Sequence, residues 1–404
     1  ACAAHIYGKK LVHMEAFTSS VHWLEGPQDL KLSADRAFAE GMNHVVWHTA
    51  AHQPPLAGRP GWVYYAGTHL NQNGPWWPMA KGFLDYLARS SFLLQQGLPV
   101  GDVLYYYGDQ GYNFVLPKHV APSLGFGFDY DVTNADALVN RLQTRGGKLV
   151  LPDGVRYEVL VLPDREDIDL AVLKRIEGLV RDGAAVVGRR PSRSSGYSGF
   201  PARDEQVRGL AAKLWSGCDG ASRKQVPYGK GRVVCGGTLR ELLADRGVGP
   251  DFRFTSRQTG TDLDFVHRTS PEAEIYFVHN KKRRWEEFEA EFRVKGRQPE
   301  LWDAATGERR DQAEFEFTSQ GTRFTLRLEP EGSVFVVFRR PGRPKPARTM
   351  APPASPARAA VPGPWTVRFT GGPAAPEPLQ LATLRSWTAS SDPKERHFSG
   401  IAEY

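Results

Sequence analysis

Two short apolar stretches flanking one amphipathic segment constrain the fold of this chain more than any other feature. Residues 10–17 read as a buried strand and 43–49 as a second. Between them, 27–41 has helical spacing, with Leu30, Ala34, Ala37 and Phe38 on one face and Gly41 at the C-cap. Strand, helix and strand at that spacing call for parallel strands joined by a crossover helix. In a (β/α) barrel the chemistry gathers where strands end. The stretch KLVHMEAFTSS carries a carboxylate there, Glu15. Glu15 is therefore a candidate acid or base; the alternative is a polar group held in an ion pair or hydrogen bond at a strand end.

The segments that follow favour a sugar. The loop after the second strand, AAHQPPLAGRPG, places His48, His52 and Gln53 together. The next, WVYYAGTHLNQNGPWW, is rich in aromatics and amides. Aromatic faces stack on the apolar faces of pyranose rings, and Asn, Gln and His side chains hydrogen-bond hydroxyls. Trp62, Tyr64, Tyr65, Trp76 and Trp77 offer the first; His52, Gln53, His69, Asn71, Gln72 and Asn73 offer the second. Trp76 and Trp77 begin a helix expected over 76–96, whose apolar face includes Phe83, Leu84, Leu87, Phe92 and Leu93; for the two tryptophans a core role is the competing reading. On a helix, His44, His48 and His52 would share one face and suit a metal. The Val-Val-Trp run between them prefers a strand, and no HExxH motif is present.

At about residue 100 the pattern resets. Apolar strands at 102–107, 148–151, 159–162 and 184–187, with helices near 134–142 and 169–182, describe a doubly wound α/β domain of flavodoxin-like or amidotransferase-like type over 98–246. No Cys or Ser stands at a strand-to-helix elbow and no GxGxxG opens a helix, so the domain reads as architectural. From 247 to 340 the strands become short and alternating, as in an antiparallel sandwich. Residues 341–364 form a Pro/Ala/Arg linker, and 365–404 open a further β-domain. The first 97 residues supply only the C-terminal part of a barrel. The expectation is a piece of a longer protein, cut at both ends.

With 41% hydrophobic and 24% charged residues, the 404-residue chain has the make-up of a globular protein. Its net charge of +7 resides largely in Arg-rich loops without interleaved aromatics, which reads as solvated surface and not as a nucleic-acid site. Three cysteines argue against a disulfide framework, although Cys218 and Cys235 could pair. No stretch suits a membrane span, and no signal peptide opens the chain.

Several long stretches carry a family resemblance: MEAFTS at 14–19, DRAFAEGMNHVVWHTAAHQP at 35–54, and GTHLNQNGPWW with YLARSSFLLQQG within 67–97. So do DYDVTNADALVNRL, GKLVLPDGVRYEVLVLPD, EIYFVHN, PELWDAATGE and GSVFVVF further on. The chain resembles glycoside hydrolase family 106, the α-L-rhamnosidases. The resemblance implies a (β/α)8 catalytic barrel with β-rich accessory domains, inverting hydrolysis of terminal α-L-rhamnose in oligosaccharides or glycosides, and calcium at the active site, whose ligands the sequence does not identify. It implies action outside the cytoplasm, in the periplasm or extracellular space. Inversion needs two carboxyl groups about 6.5–9.5 Å apart. Glu15, in its EAFTS context, is expected to be one, as acid or as base. The partner is expected upstream, because Glu25, Asp29 and Asp35 fall on the following loop or helix. Two other readings remain: a non-catalytic sugar-binding or structural fragment, since two barrel strands close no barrel, and an amidotransferase-like enzyme lacking its nucleophile.

Overall fold

The structure is a computed structural model that describes residues 1–67, 70–74, 76–109, 111, 124–345, 360–371, 375–398 and 400–404. Contacts divide it into two units. One holds Ala1–Met14, Lys31–Val46 and Asp85–Ala347; the other holds Glu15–Leu30, Trp47–Leu84 and Arg348–Tyr404. Most of the linker expected at 341–364 lies outside the described residues.

The strand–helix–strand pattern forms as β1 (His13–Ala16), α2 (Pro27–Ala39) and β2 (His44–Trp47), after a short first helix α1 (Cys2–Ile6). The amides of His44 and His48 donate to the carbonyls of Val12 and Ala16, a same-direction register that makes the pair parallel. Leu30, Ala34, Ala37 and Phe38 are all buried, as the spacing predicts. Gly41, at φ 97, ends the helix by donating to Phe38 O. Because 44–47 is a strand, His44 and His48 do not lie on a common helical face. No closed barrel occurs among the described residues; β1 and β2 form a sheet of their own. The helix expected over 76–96 is α3 (Ala80–Leu94), preceded by a 3₁₀ turn at Trp77–Met79. Phe83, Leu87 and Leu93 are buried, but Phe92 is 63% exposed, contrary to its place on the expected apolar face.

Within the larger unit, strands β3 (Val103–Tyr106), β4 (Tyr130–Thr133), β5 (Val159–Val161), β6 (Ala185–Val187), β7 (Gln225–Tyr228) and β8 (Gly231–Val234) form one sheet in the order β7-β8-β6-β5-β3-β4. All pairings are parallel except β7 with β8. The five parallel strands take the 2-1-3-4-5 order of doubly wound sheets. Alternate residues enter two separate cores. Leu104, Leu160, Val186 and Val233 pack on one side, and Val103, Val159, Ala185 and Val234 on the other. That two-sided burial is why these strands read as unbroken apolar runs. Helices α4 (Ala135–Asn140) and α5 (Leu170–Arg181) open on the side-chain caps Asn134 and Asp169. Lys148–Val150, read from the sequence with the others, instead belongs to a small antiparallel sheet. Helices α6 (Ala202–Leu214) and α7 (Leu239–Asp245) complete the layer. A disulfide joins Cys218 to Cys235, the pair that the odd cysteine count left open.

The sandwich comprises β9 (Phe252–Ser256), β10 (Leu263–Thr269), β11 (Glu274–Asn280), β12 (Glu286–Phe292), β13 (Arg297–Trp302), β14 (Arg309–Asp311), β15 (Glu316–Phe317), β16 (Thr322–Leu328) and β17 (Ser333–Pro341). One sheet runs β9-β12-β16-β15; the other runs β14-β13-β17-β11-β10 and ends on Leu98–Pro99. Phe252, Phe288 and Phe324 of one face Phe265, Tyr276 and Phe338 of the other in a single core. The sequence predicts alternation on β10 and β11, yet both are buried almost throughout. Their second face is covered too: Phe277 meets Phe38 of α2 edge-on at 5.9 Å.

A charged network lies buried in this unit. His267 Nδ1 is 2.8 Å from Asp251 and its Nε2 3.0 Å from Glu274. Tyr276 donates to Asp251 at 2.8 Å, and Arg293 reaches Asp102 at 2.7 Å and Asp251 at 3.4 Å. Burial would raise the Asp251 carboxyl, but His267 and Arg293 outweigh it and hold the group at about 2. Burial wins at Asp102, which has Arg293 alone and the like charge of Asp251 nearby, and it is pushed up to about 7. At His267 burial opposes the charge, yet Asp251 raises it above 6.5. A raised histidine stabilises fully below its unfolded value and loses that contribution as pH rises through the folded one. Asp102 acts in the same direction between 3.8 and about 7. The melting temperature should therefore fall as pH rises from about 4 through about 7 and on through the raised His267 value, and His267→Gln should flatten the slope above pH 6.5 in calorimetry.

The last described segment, in the smaller unit, is a three-stranded antiparallel sheet of β18 (Trp365–Thr370), β19 (Leu379–Leu381) and β20 (Ile401–Glu403). Its core is Val367, Phe369, Leu381 and Phe398.

Candidate active site

β1 is exposed at His13, Met14 and Glu15 and turns inward at Ala16. Strand alternation thus presents the Glu15 carboxyl on the face opposite the packed Ala16. Its Oε1 accepts a 2.8 Å hydrogen bond from Thr18 Oγ1. The next residue, Phe17, is buried with φ 68, a left-handed conformation rare for a bulky side chain. Its ring packs 4.6 Å from Trp47 and 6.0 Å from Phe83. This aromatic cluster holds the chain's turn directly after the carboxylate, the setting in which backbone strain is found at functional sites.

The strand end of β2 lies alongside. His48 donates its amide to Ala16 O at 3.0 Å and stands edge-on to Tyr64 at 5.5 Å. Its Nδ1 is buried without a hydrogen bond. Gly67, at φ 100, donates to Ser19 O, and a Cβ there would lie 2.4 Å from His48 O. Only glycine fits this approach of the two loops. Gly67→Ala should destabilise the protein by about 3 kcal/mol through overpacking and left-handed strain, read as a lowered melting temperature.

Gln53 clamps its loop. Its Nε2 donates to Trp62 O at 2.7 Å and its Oε1 accepts from Trp62 N at 2.9 Å. Asn71 is buried and accepts from Asn73 N at 2.8 Å. Gln53 and Asn71 thus also hold the loop, a use that the sequence does not show. Asn73 is half-buried and its Nδ2 reaches Gln53 at 3.5 Å. His52 is exposed, with no hydrogen-bond partner among the described residues. Trp76 is half-buried at the start of the 3₁₀ turn before α3. His69 lies outside the described residues. Exposed rings come from Trp62, Tyr64 and Tyr65, with Tyr64 and Tyr65 4.4 Å apart. The structure therefore brings Glu15, His48, Gln53, Asn71 and Asn73 into one unit with these rings.

The other carboxylates near β1 in sequence are mostly spent. Asp29 accepts from Gly26 N at 3.0 Å. Asp35, in the larger unit, is fully buried against Tyr86 and takes Lys31 at 2.7 Å. Glu25 keeps one buried oxygen without a partner. Calcium takes six to eight oxygen ligands. Among the described residues no three or more His, Cys, Asp or Glu side chains are grouped to hold a metal ion.

A cavity of about 310 Å³ between α3 and the β13–β14 turn is almost wholly apolar. Its Asp303 is taken up by the amides of Ala305 and Thr306, so it offers no acid–base pair.

In fold, the chain is similar to a GH42 β-galactosidase from G. stearothermophilus, with TM-score 0.50 and 12% identity over 82% of this chain and 54% of that one. The family model described as alpha-L-rhamnosidase matches residues 1–316, and the chain belongs to that family, glycoside hydrolase family 106. The solved rhamnosidase from Novosphingobium sp. PP1Y superposes with TM-score 0.88 at 36% identity, over 100% of this chain and 38% of that one. A protein from Formosa agariphila named as a beta-glucuronidase is 36% identical over 345 residues, 85% of this chain and 28% of that protein. The chain thus spans about a third of the length of these relatives.

Proposed function

We propose that the chain is part of an enzyme that hydrolyses terminal α-L-rhamnosyl residues of glycosides or oligosaccharides with inversion. Glu15 serves as one of the two carboxyl groups. The observation that carries this reading is an exposed carboxylate at the carboxyl end of a parallel strand, in the same unit as exposed Trp62, Tyr64 and Tyr65, in a chain of the α-L-rhamnosidase family. In an inverting reaction one carboxyl protonates the leaving oxygen while the other takes a proton from water. Thr18 Oγ1 donates to Glu15 Oε1, which leaves Oε2 without a hydrogen-bond partner among the described residues and able to take a proton from water. That suits the base, leaving the acid to a residue beyond those named. Exposed rings would receive the sugar's apolar face, with His48, His52 and Asn73 at its hydroxyls.

Calcium remains an expectation from the family, and no step of this reading runs through it. Loss of turnover on chelation, restored by added calcium, would support a requirement for the ion. The Cys218–Cys235 bridge favours an oxidising compartment, periplasmic or extracellular. The domain boundaries at 98, 247, 341 and 365 are part of the same proposal.

The absence of a closed barrel among the described residues favours a second reading, in which the chain alone binds sugar or supports a larger protein without turnover. Calorimetry with L-rhamnose beside an assay on an aryl α-L-rhamnoside separates the two. Turnover that Glu15→Gln removes supports the first reading; binding without turnover supports the second.

A further inference from the structure

The larger unit carries a groove at the amino ends of its parallel strands, opposite the edge where doubly wound sheets take their ligands. Two cavities form it, of about 880 Å³ and about 660 Å³, and they share Lys148, Glu158, Gly247 and Val248. Six cations line it, Lys148, Arg156, Lys230, Arg232, Arg246 and Arg293, against only two carboxylates, Asp102 and Glu158. Those carboxylates are already taken. Glu158 binds Lys148 at 2.5 Å and Arg246 at 3.3 Å, and Asp102 binds Arg293 at 2.7 Å. Arg156, Lys230 and Arg232 make no ion pair among the described residues. Arg246 is held in place by Gly147 O at 2.8 Å, while its Nε is buried without a partner. Among the described residues no aromatic ring lines either cavity. Stacking, which grips both nucleobases and the apolar faces of neutral sugars, is therefore unavailable. Charge is what remains.

We propose that this groove binds an acidic polysaccharide through its carboxylate or sulfate groups. Guanidinium groups pair with either anion in two parallel hydrogen bonds. Gly146, Gly147 and Gly183 line the wall without side chains, so a bulky chain can approach the backbone there. The choice of a glycan as the polyanion rests on membership of a glycosidase family. The groove itself uses none of the residues assigned to catalysis.

The test is binding of fluorescent dextran sulfate, polygalacturonate and neutral dextran to the 404-residue chain at low salt. Binding of one or both anionic polymers, with dextran left free, is expected, and which polymer binds identifies the anion. The combined Arg156→Glu, Lys230→Glu and Arg232→Glu variant should lose at least about tenfold in affinity. A control with Arg190→Glu, Arg208→Glu and Arg257→Glu, an equal change of charge elsewhere, should lose far less. Equal losses in the two variants, or binding of neutral dextran, would overturn the proposal. If the triple variant unfolds, Arg156→Gln with Lys230→Gln carries the same comparison. An aryl α-L-rhamnoside assay run alongside reports the glycosidase reading independently, because none of the groove residues takes part in it.

Discussion

Glu15→Gln in the natural full-length protein should lower kcat on an aryl α-L-rhamnoside by about 10²–10⁴-fold, the range for removal of a positioned acid or base. Gln keeps the shape and can still meet Thr18, so the melting temperature should stay near that of the wild type. The separation matters because Glu15 is exposed and, among the described residues, its hydrogen-bond partner is Thr18. A purely structural strand-end carboxylate would change neither kcat nor stability much. KM should move little, because a general base contributes mainly in the transition state.

Arg293→Met should cost about 3–5 kcal/mol, the effect of breaking a buried ion pair by removing one partner. Arg293 is the cation between Asp102 and Asp251, and it also donates to Gly249 O at 2.8 Å. Without it Asp102 faces the like charge of Asp251 in a buried site. Lower pH should recover part of the loss, because protonating Asp102 removes that repulsion. Urea unfolding of both proteins across about pH 5 to about pH 8 reads the effect, with the deficit growing as pH rises.

The sequence was most legible where one physical rule dominated. Two-sided burial makes Val103, Leu104, Val159, Leu160, Ala185 and Val186 an apolar run, and those strands were placed within a residue or two. The face of α2 was legible for the same reason. Lys148–Val150 was assigned to the wrong sheet because periodicity marks a strand without naming its partner. Phe92 was misplaced because an apolar residue at helical spacing need not find a covering partner. The functional residues were legible by type and not by use. Gln53 and Asn71 have the chemistry of sugar donors; the coordinates add that Gln53 bonds the main chain of Trp62 and that Asn71 accepts from Asn73 N, contacts that no spacing in the sequence shows. Neither the φ of Phe17 nor the close approach at Gly67 is visible in one sequence; Gly67 and the FTSS turn were the available signals.

The most direct test offers the natural full-length protein 4-nitrophenyl α-L-rhamnoside and 4-nitrophenyl β-D-glucuronide, with the first-formed sugar followed by proton NMR. Release from the rhamnoside alone, with β-L-rhamnose appearing first, is the expected result. Release from the glucuronide alone, or α-L-rhamnose as the first product, would contradict it.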